Sequence, residues 1–263
     1  MKEHYKFKKV LAGAVLLLGS PLVGAEQHSF SLTNGFDYSS GDYGGATDTH
    51  ILYIPLIGKY ETERTTFKLT VPYISIESSG GVVGGADGAP VVIDPDAAGE
   101  RTTESGLGDI VASATYTVLD GQANGLLLDV TGKVKFATAD EDKGLGTGET
   151  DYAAQVDIYK TYGAFTPFGT LGYKVFGDTS ATDFNNVFYG SLGGAYKFGP
   201  QTSGGLIYDL REASTDSSSS LSELTAYVSY KFTETTKAQL YGVKGFSDGS
   251  PDWGMGAMVT MGF

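Results

Sequence analysis

Downstream of residue 25 the chain carries two imidazoles, His28 and His50, and it has no cysteine anywhere. Nucleophilic catalysis would need one of these histidines beside a serine or carboxylate, and the candidates nearest His50 are Asp48 and Ser78. A solvated rim histidine is the simpler account of His50, and His28 offers still less chemistry. Two acidic runs, Asp94, Asp96 and Glu100, then Asp140, Glu141 and Asp142, carry the oxygen donors that suit Ca²⁺. Neither has EF-hand spacing, so they read as solvated acidic loops able to bridge lipopolysaccharide through divalent ions. The lack of cysteine excludes a disulfide framework and thiol catalysis. No catalytic, cofactor or metal site is expected.

A larger group of polar residues has the spacing of a wall. Lys68, Asp109, Asp129, Lys133, Lys135, Asp157, Lys174, Asp209, Arg211 and Glu223 fall at alternate positions among Ser, Thr and Gln. Tyr159, Phe168, Tyr189, Tyr227 and Tyr241 share their parity. The opposite parity is apolar, most clearly where Leu126, Leu128, Val130, Val134 and Phe136 interleave with Asp129, Thr131, Lys133 and Lys135. A period of two with one apolar and one polar face is a β-strand signal. If the apolar face meets lipid, the charged face lines a lumen. Its charges then either pair into a ladder that fixes register or line a solute path. Its aromatics either stack with an aromatic solute or plug the passage.

Twelve such segments can be traced, at about 28–39, 49–60, 64–76, 108–119, 126–136, 150–161, 165–176, 186–198, 201–212, 221–232, 236–246 and 253–263. Each is long enough for a tilted strand to cross a bilayer, which takes about ten residues. The connections alternate. Long polar loops run over 78–105, onward from Ala139, and over 178–185, 212–220 and 247–252, while tight turns fall at 199–201 and 233–235. The pattern predicts an all-β, transmembrane, antiparallel up-and-down β-barrel with short periplasmic turns and long extracellular loops. A soluble sandwich or jelly roll is the alternative, and it would have to protect many sheet edges. The second segment is apolar on both parities, which leaves its facing open. Pro55 and Pro72 each remove a ladder donor and predict a bulge or open pairing. Twelve strands lie between barrels that fill with side chains and barrels that leave a channel, so the lumen should be narrow and partly occluded. Small residues in the first and last segments predict the roomier wall there.

Lys2, Lys6, Lys8 and Lys9, the apolar run 10–19 and Val23-Gly24-Ala25 form a secretory signal peptide over 1–25, leaving 26–263 as the barrel. Its removal takes away four Lys and one Glu, moving the formal net charge from −13 to −16. Such a chain is a poor nucleic-acid partner, because phosphate contacts need Lys and Arg.

Gly106-Leu-Gly-Asp-Ile-Val-Ala-Ser-Ala-Thr-Tyr, Leu171-Gly-Tyr-Lys-Val-Phe-Gly-Asp and Ala195-Tyr-Lys-Phe-Gly-Pro-Gln-Thr-Ser-Gly-Gly-Leu, with Tyr208-Asp-Leu-Arg-Glu, carry a family likeness. Over most of residues 50–263 the chain resembles the outer-membrane family named after the meta-pathway of phenol degradation, often labelled simply as transporters. The resemblance implies a Gram-negative outer-membrane barrel that admits small, often aromatic or hydrophobic, molecules; it brings no binding motif. The final strand, ending at Phe263, resembles the closing strand of outer-membrane barrels, which implies an assembly signal read by the barrel assembly machinery. The expected partners are outer-membrane lipid, lipopolysaccharide and a small-molecule solute. The expected function is a passive channel; the alternatives are a non-conducting structural or surface-interaction barrel and, further off, a barrel hydrolase.

Overall fold

Each long run of period-two alternation is a strand in the computed structural model, which describes residues 28–85, 90–96, 99–179 and 182–263. The expected signal peptide lies outside these residues. The strands are β1 (Ser29–Gly41), β2 (Thr49–Glu61), β3 (Thr65–Ser78), β4 (Val82–Val83), β5 (Val91–Val92), β6 (Thr102–Leu107), β7 (Ile110–Asp120) and β8 (Leu126–Phe136). They continue with β9 (Asp151–Lys160), β10 (Phe165–Val175), β11 (Val187–Lys197), β12 (Thr202–Arg211), β13 (Leu221–Lys231), β14 (Thr236–Gly245) and β15 (Trp253–Gly262). Neighbours pair antiparallel, and β1 closes on β15 from Ser31–Gly262 to Ser40–Trp253. The short β4–β5 hairpin stands apart as its own ribbon. β6 and β7 form one wall strand, so the barrel is closed and twelve-stranded. Closure leaves no unpaired edge, which is the condition for a sheet to sit in hydrocarbon.

The apolar parity faces outward. Leu192 is 72% exposed, Leu171 65% and Leu206 54%, and the same holds around the barrel, from Phe67 on β3 to Met255 on β15. A soluble protein rarely exposes an apolar patch beyond a few hundred Å². A continuous band of this kind is stable where acyl chains cover it. Aromatics gather where this band ends: His28 stacks on Tyr60 (5.9 Å), and Phe30 packs against Phe263 (6.1 Å) at the short-turn rim. Trp253 and His50 flank Tyr38 at the opposite rim.

The short turns are tight because glycine supplies the left-handed backbone where it is needed. Gly121 (φ +77°) and Gly125 (φ +76°) close the β7–β8 turn, with the Gly125 N–H donating to the Gly121 carbonyl at 2.8 Å. The open facing of β2 resolves in an unexpected way. Ile51 and Tyr53 point into the barrel, 1% and 2% exposed, while Leu56 and Tyr60 face out. Both prolines break pairing as their chemistry requires. Pro55 and Pro72 oppose each other, and the β1–β2 ladder skips from Asn34–Leu56 to Asp37–Tyr53 beside Pro55. On the other side of β3 the register shifts by one residue between Tyr73–Leu107 and Thr70–Val111. This is the bulge that separates β6 from β7. It also corrects the expected loop: Thr102–Leu107 already pairs with β3, so the long connection ends near residue 101.

Candidate functional site

The lumen-facing residues build the candidate site. Lys68, Asp129, Lys133, Lys135, Asp157, Lys174, Asp209, Arg211 and Glu223, with the five inward aromatics, lie on the interior parity of their strands, and Asp109 lies buried in the break between β6 and β7. The structure sorts them into separate arrangements rather than one.

On the β7–β10 wall, toward the long loops, charges are buried and paired. Lys135 Nζ lies 3.0 Å from Asp109 Oδ2 and 3.2 Å from Asp151 Oδ2, and Lys174 Nζ lies 2.9 Å from the same Asp151 oxygen. Lys135 also donates to Thr147 Oγ1. Asp109 Oδ1 accepts the Thr138 and Ala139 N–H groups, and Asp151 Oδ1 accepts that of Gly177. Two lysines and two aspartates are neutral together, so the group both stays buried and ties two long connections to the wall. Deeper in, Gln155 Nε2 donates to both Asp157 oxygens at 2.8 and 2.9 Å, and Thr170 Oγ1 donates to Asp157 at 2.6 Å. The Tyr189 hydroxyl donates to Gln155 at 3.0 Å, with Lys133 Nζ 5.8 Å from its ring centroid. Thr117 holds Asp129 in the same way nearer the short turns.

On the opposite wall, Asp209 and Glu223 are direct cross-strand partners, and the Tyr241 hydroxyl donates to Asp37 at 2.8 Å. Arg211 is the cation among them and also donates to the Pro90 carbonyl at 3.2 Å, tying the β4–β5 hairpin to the wall. That hairpin is seated further by Thr215 on the Val92 carbonyl and Ser217 on the Ile93 carbonyl. Its valines pack into two apolar clusters at the mouth. One joins Val82 and Val92 to Tyr43, Ile51, Tyr53, Ile74, Ile76 and Leu145; the other joins Val91 to Phe176, Phe184 and Val187. A third cluster, Leu127, Tyr159, Phe168, Ile207 and Tyr227, fills the end toward the short turns. Between these clusters the interior residues Asp37, Ser113, Lys133, Ala153, Tyr189, Thr225 and Tyr241 are only half-buried and form a waist.

Four interior aromatics share one device. Tyr189 pairs in register with Gly172, Phe168 with Gly193, Tyr227 with Gly205 and Tyr241 with Gly256. A Cβ on Gly172 or Gly256 would fall 2.2 Å from the facing ring. Each ring therefore lies over a glycine instead of projecting across the lumen. This overturns the expectation of a roomy wall at the β15–β1 seam. Tyr241 occupies the space above Gly256, and Met258, fully buried, lies against Gly35.

The acidic loop runs and the histidines do not converge. His28 and His50 sit at opposite rims, and among the described residues no group of three or more His, Asp or Glu is arranged to hold a metal ion. Asp37, Asp151, Gln155 and Lys237 belong to the interior and were not singled out from sequence. Their parity signalled it, but nothing in one strand reveals which partner the next strand will bring.

No protein-family model matches the chain, and no curated protein matches it in sequence. In solved structures it is similar to the KdgM porin, at 9% identity over 89% of this chain and 99% of that one, with a TM-score of 0.53. It is also matched to the CymD monoaromatic hydrocarbon channel, at 11% identity over 90% and 89% with a TM-score of 0.46. The Pseudomonas putida toluene transporter TodX gives 11% identity over 92% and 90%, with a TM-score of 0.45. Closed wall, outward apolar band and the overlap with the first of these establish the fold: an outer-membrane-type β-barrel.

Proposed function

We propose that the chain is a passive outer-membrane channel for small molecules, closed at its mouth in this conformation. The observation that carries the reading is the half-buried waist between two sealed ends. A barrel serving only as a scaffold has no need of a half-buried polar waist, and the outer seal rests on a short hairpin held by a few bonds to carbonyls. The half-buried Tyr189 and Tyr241 rings, laid over glycines, offer faces to a flat solute, which supports small aromatic or hydrophobic molecules as the class admitted. The outer membrane is the location this fold fits, after cleavage near Ala25, with Phe263 read by the assembly machinery and lipopolysaccharide against the long loops. The buried neutral network favours a second reading, a non-conducting structural barrel.

One comparison separates the two. In planar bilayers and in liposome-swelling assays the intact chain should give low conductance, and a variant lacking 80–100 should give a several-fold larger one with faster entry of small aromatic solutes. Absence of current and of solute flux in both proteins would leave the structural barrel as the answer.

A further inference from the structure

The end of the lumen nearest the short turns gathers lysines. Lys59 on β2 and Lys68 on β3 are direct cross-strand partners on the interior face. Across the closing seam, Lys237 on β14 pairs with Thr260, which pairs with Thr33, their hydroxyls 2.8 Å apart. Lys59 and Glu61 are among the charges that bear on Lys237. Glu61 lies 2.9 Å from Lys59, and Lys68 has no ion pair among the described residues. Lys59 and Lys68 thus share one carboxylate, with Lys237 near them. Like charges placed directly opposite on paired strands destabilise a sheet.

The hydroxyls beside Lys59 and Lys68 are unsatisfied. Ser31, the register partner of Lys59, and Thr66 and Thr70, which flank Lys68 on the same face, are 5%, 2% and 2% exposed. None of the three hydroxyl oxygens has a hydrogen-bond partner. A buried hydroxyl left without a partner is costly, and native structures rarely keep several together without reason. Surplus positive charge and idle O–H donors on one stretch of wall have one complement, an anion with several acceptor oxygens. The place is reachable, because Lys59 and Glu61 side chains are each 25% exposed at the rim.

We propose that Lys59, Lys68 and Lys237, with Ser31, Thr66 and Thr70, form an oxyanion-binding site at the short-turn end of the lumen. Its ligand is a small molecule bearing a carboxylate, phosphate or sulfate group. The lysines supply the charge and the hydroxyls the orienting donors, while Glu61 limits the excess. The site goes beyond the channel reading and does not depend on conduction, since binding is measured on the closed protein.

The test uses the chain refolded in detergent, titrated calorimetrically with inorganic phosphate, with benzoate, and with uncharged benzamide. Phosphate and benzoate should bind saturably and compete, and benzamide should not bind at this site. Lys59→Gln with Lys68→Gln should weaken both anions at least ~10-fold, the loss expected for charge-assisted hydrogen bonds. Lys231→Gln, whose ammonium already lies 2.6 Å from Glu234, should leave them unchanged. The single variant Lys68→Gln gives a readout that does not depend on the double variant folding. It should melt at or above the parent temperature without anion, because a repulsion is gone, and should lose the rise in melting temperature that phosphate gives the parent. Absence of saturable binding by either anion, or equal affinity in the Lys59/Lys68 variants, overturns the site. Conductance measured separately shows whether the channel reading stands on its own.

Discussion

Lys135→Met is the substitution whose cost the geometry fixes best. The ammonium is 2% exposed and serves Asp109 at 3.0 Å and Asp151 at 3.2 Å. Removing one partner of a buried ion pair costs about 3–5 kcal/mol, because the other charge is stranded. Here the two aspartates are not stranded equally. Asp151 keeps Lys174 at 2.9 Å and the Gly177 N–H, whereas Asp109 keeps only the N–H groups of Thr138 and Ala139. The loss should therefore fall at about 3 kcal/mol, most of it from Asp109. Adding Asp109→Asn removes that charge while its remaining oxygen still accepts the two N–H groups, so the double variant should lie only about 1–2 kcal/mol below the parent. Urea unfolding of the four proteins in the same vesicles closes the cycle. A coupling of about 2 kcal/mol is expected, and one below about 0.5 kcal/mol would refute the argument that a stranded carboxylate sets the cost.

Two further substitutions test other parts of the wall. Gly256→Ala places a Cβ 2.2 Å from the Tyr241 ring and should cost about 1–3 kcal/mol in the same unfolding assay, whereas Gly132→Ala, with nothing within 4 Å, should stay within about 0.5 kcal/mol. Deleting Phe263 removes its N–H bond to the Phe30 carbonyl and its packing on the Phe30 ring. The expected outcome is less assembled protein in the outer membrane of cells and near-parental refolding in detergent, and equal amounts in cells would remove Phe263 from any assembly role.

The barrel was legible because lipid and lumen impose opposite demands on alternate residues, and one strand suffices to display both. Leu126, Leu128 and Val130 against Asp129, Thr131 and Lys133 could hardly be read otherwise, and they lie as that reading requires. The bulge at Pro72 was legible for a similar reason, since a residue without an N–H announces its own gap in the ladder. What failed was inference about space. Small residues on β15 and β1 looked like room, yet glycine opposite tyrosine is an invitation for the ring to lie down, and Tyr241 accepts it over Gly256. Likewise β2, apolar on both parities, carried no facing signal, because its inward Ile51 and Tyr53 meet a hairpin that folds back into the mouth.

Register is the quantity missing from a single sequence, and it decides whether an interior charge is structural or available. Lys135 and Lys68 look alike in the chain, each a lysine on an interior parity between two outward apolar residues. Pairing sets Lys135 opposite Asp151, and the bulge turns Asp109 toward it, so that lysine is neutralised and buried. Pairing sets Lys68 opposite Lys59, so the same side chain becomes half of a repulsive pair beside idle hydroxyls. A slip of one residue between β2 and β3 would turn Lys59 to the lipid and dissolve the cluster, at the cost of burying outward leucines in the lumen. The apolar band thus holds the lysines together. Hydrophobic matching to the membrane fixes a register that electrostatics alone would reject, and the charge it concentrates is what an anionic solute can use.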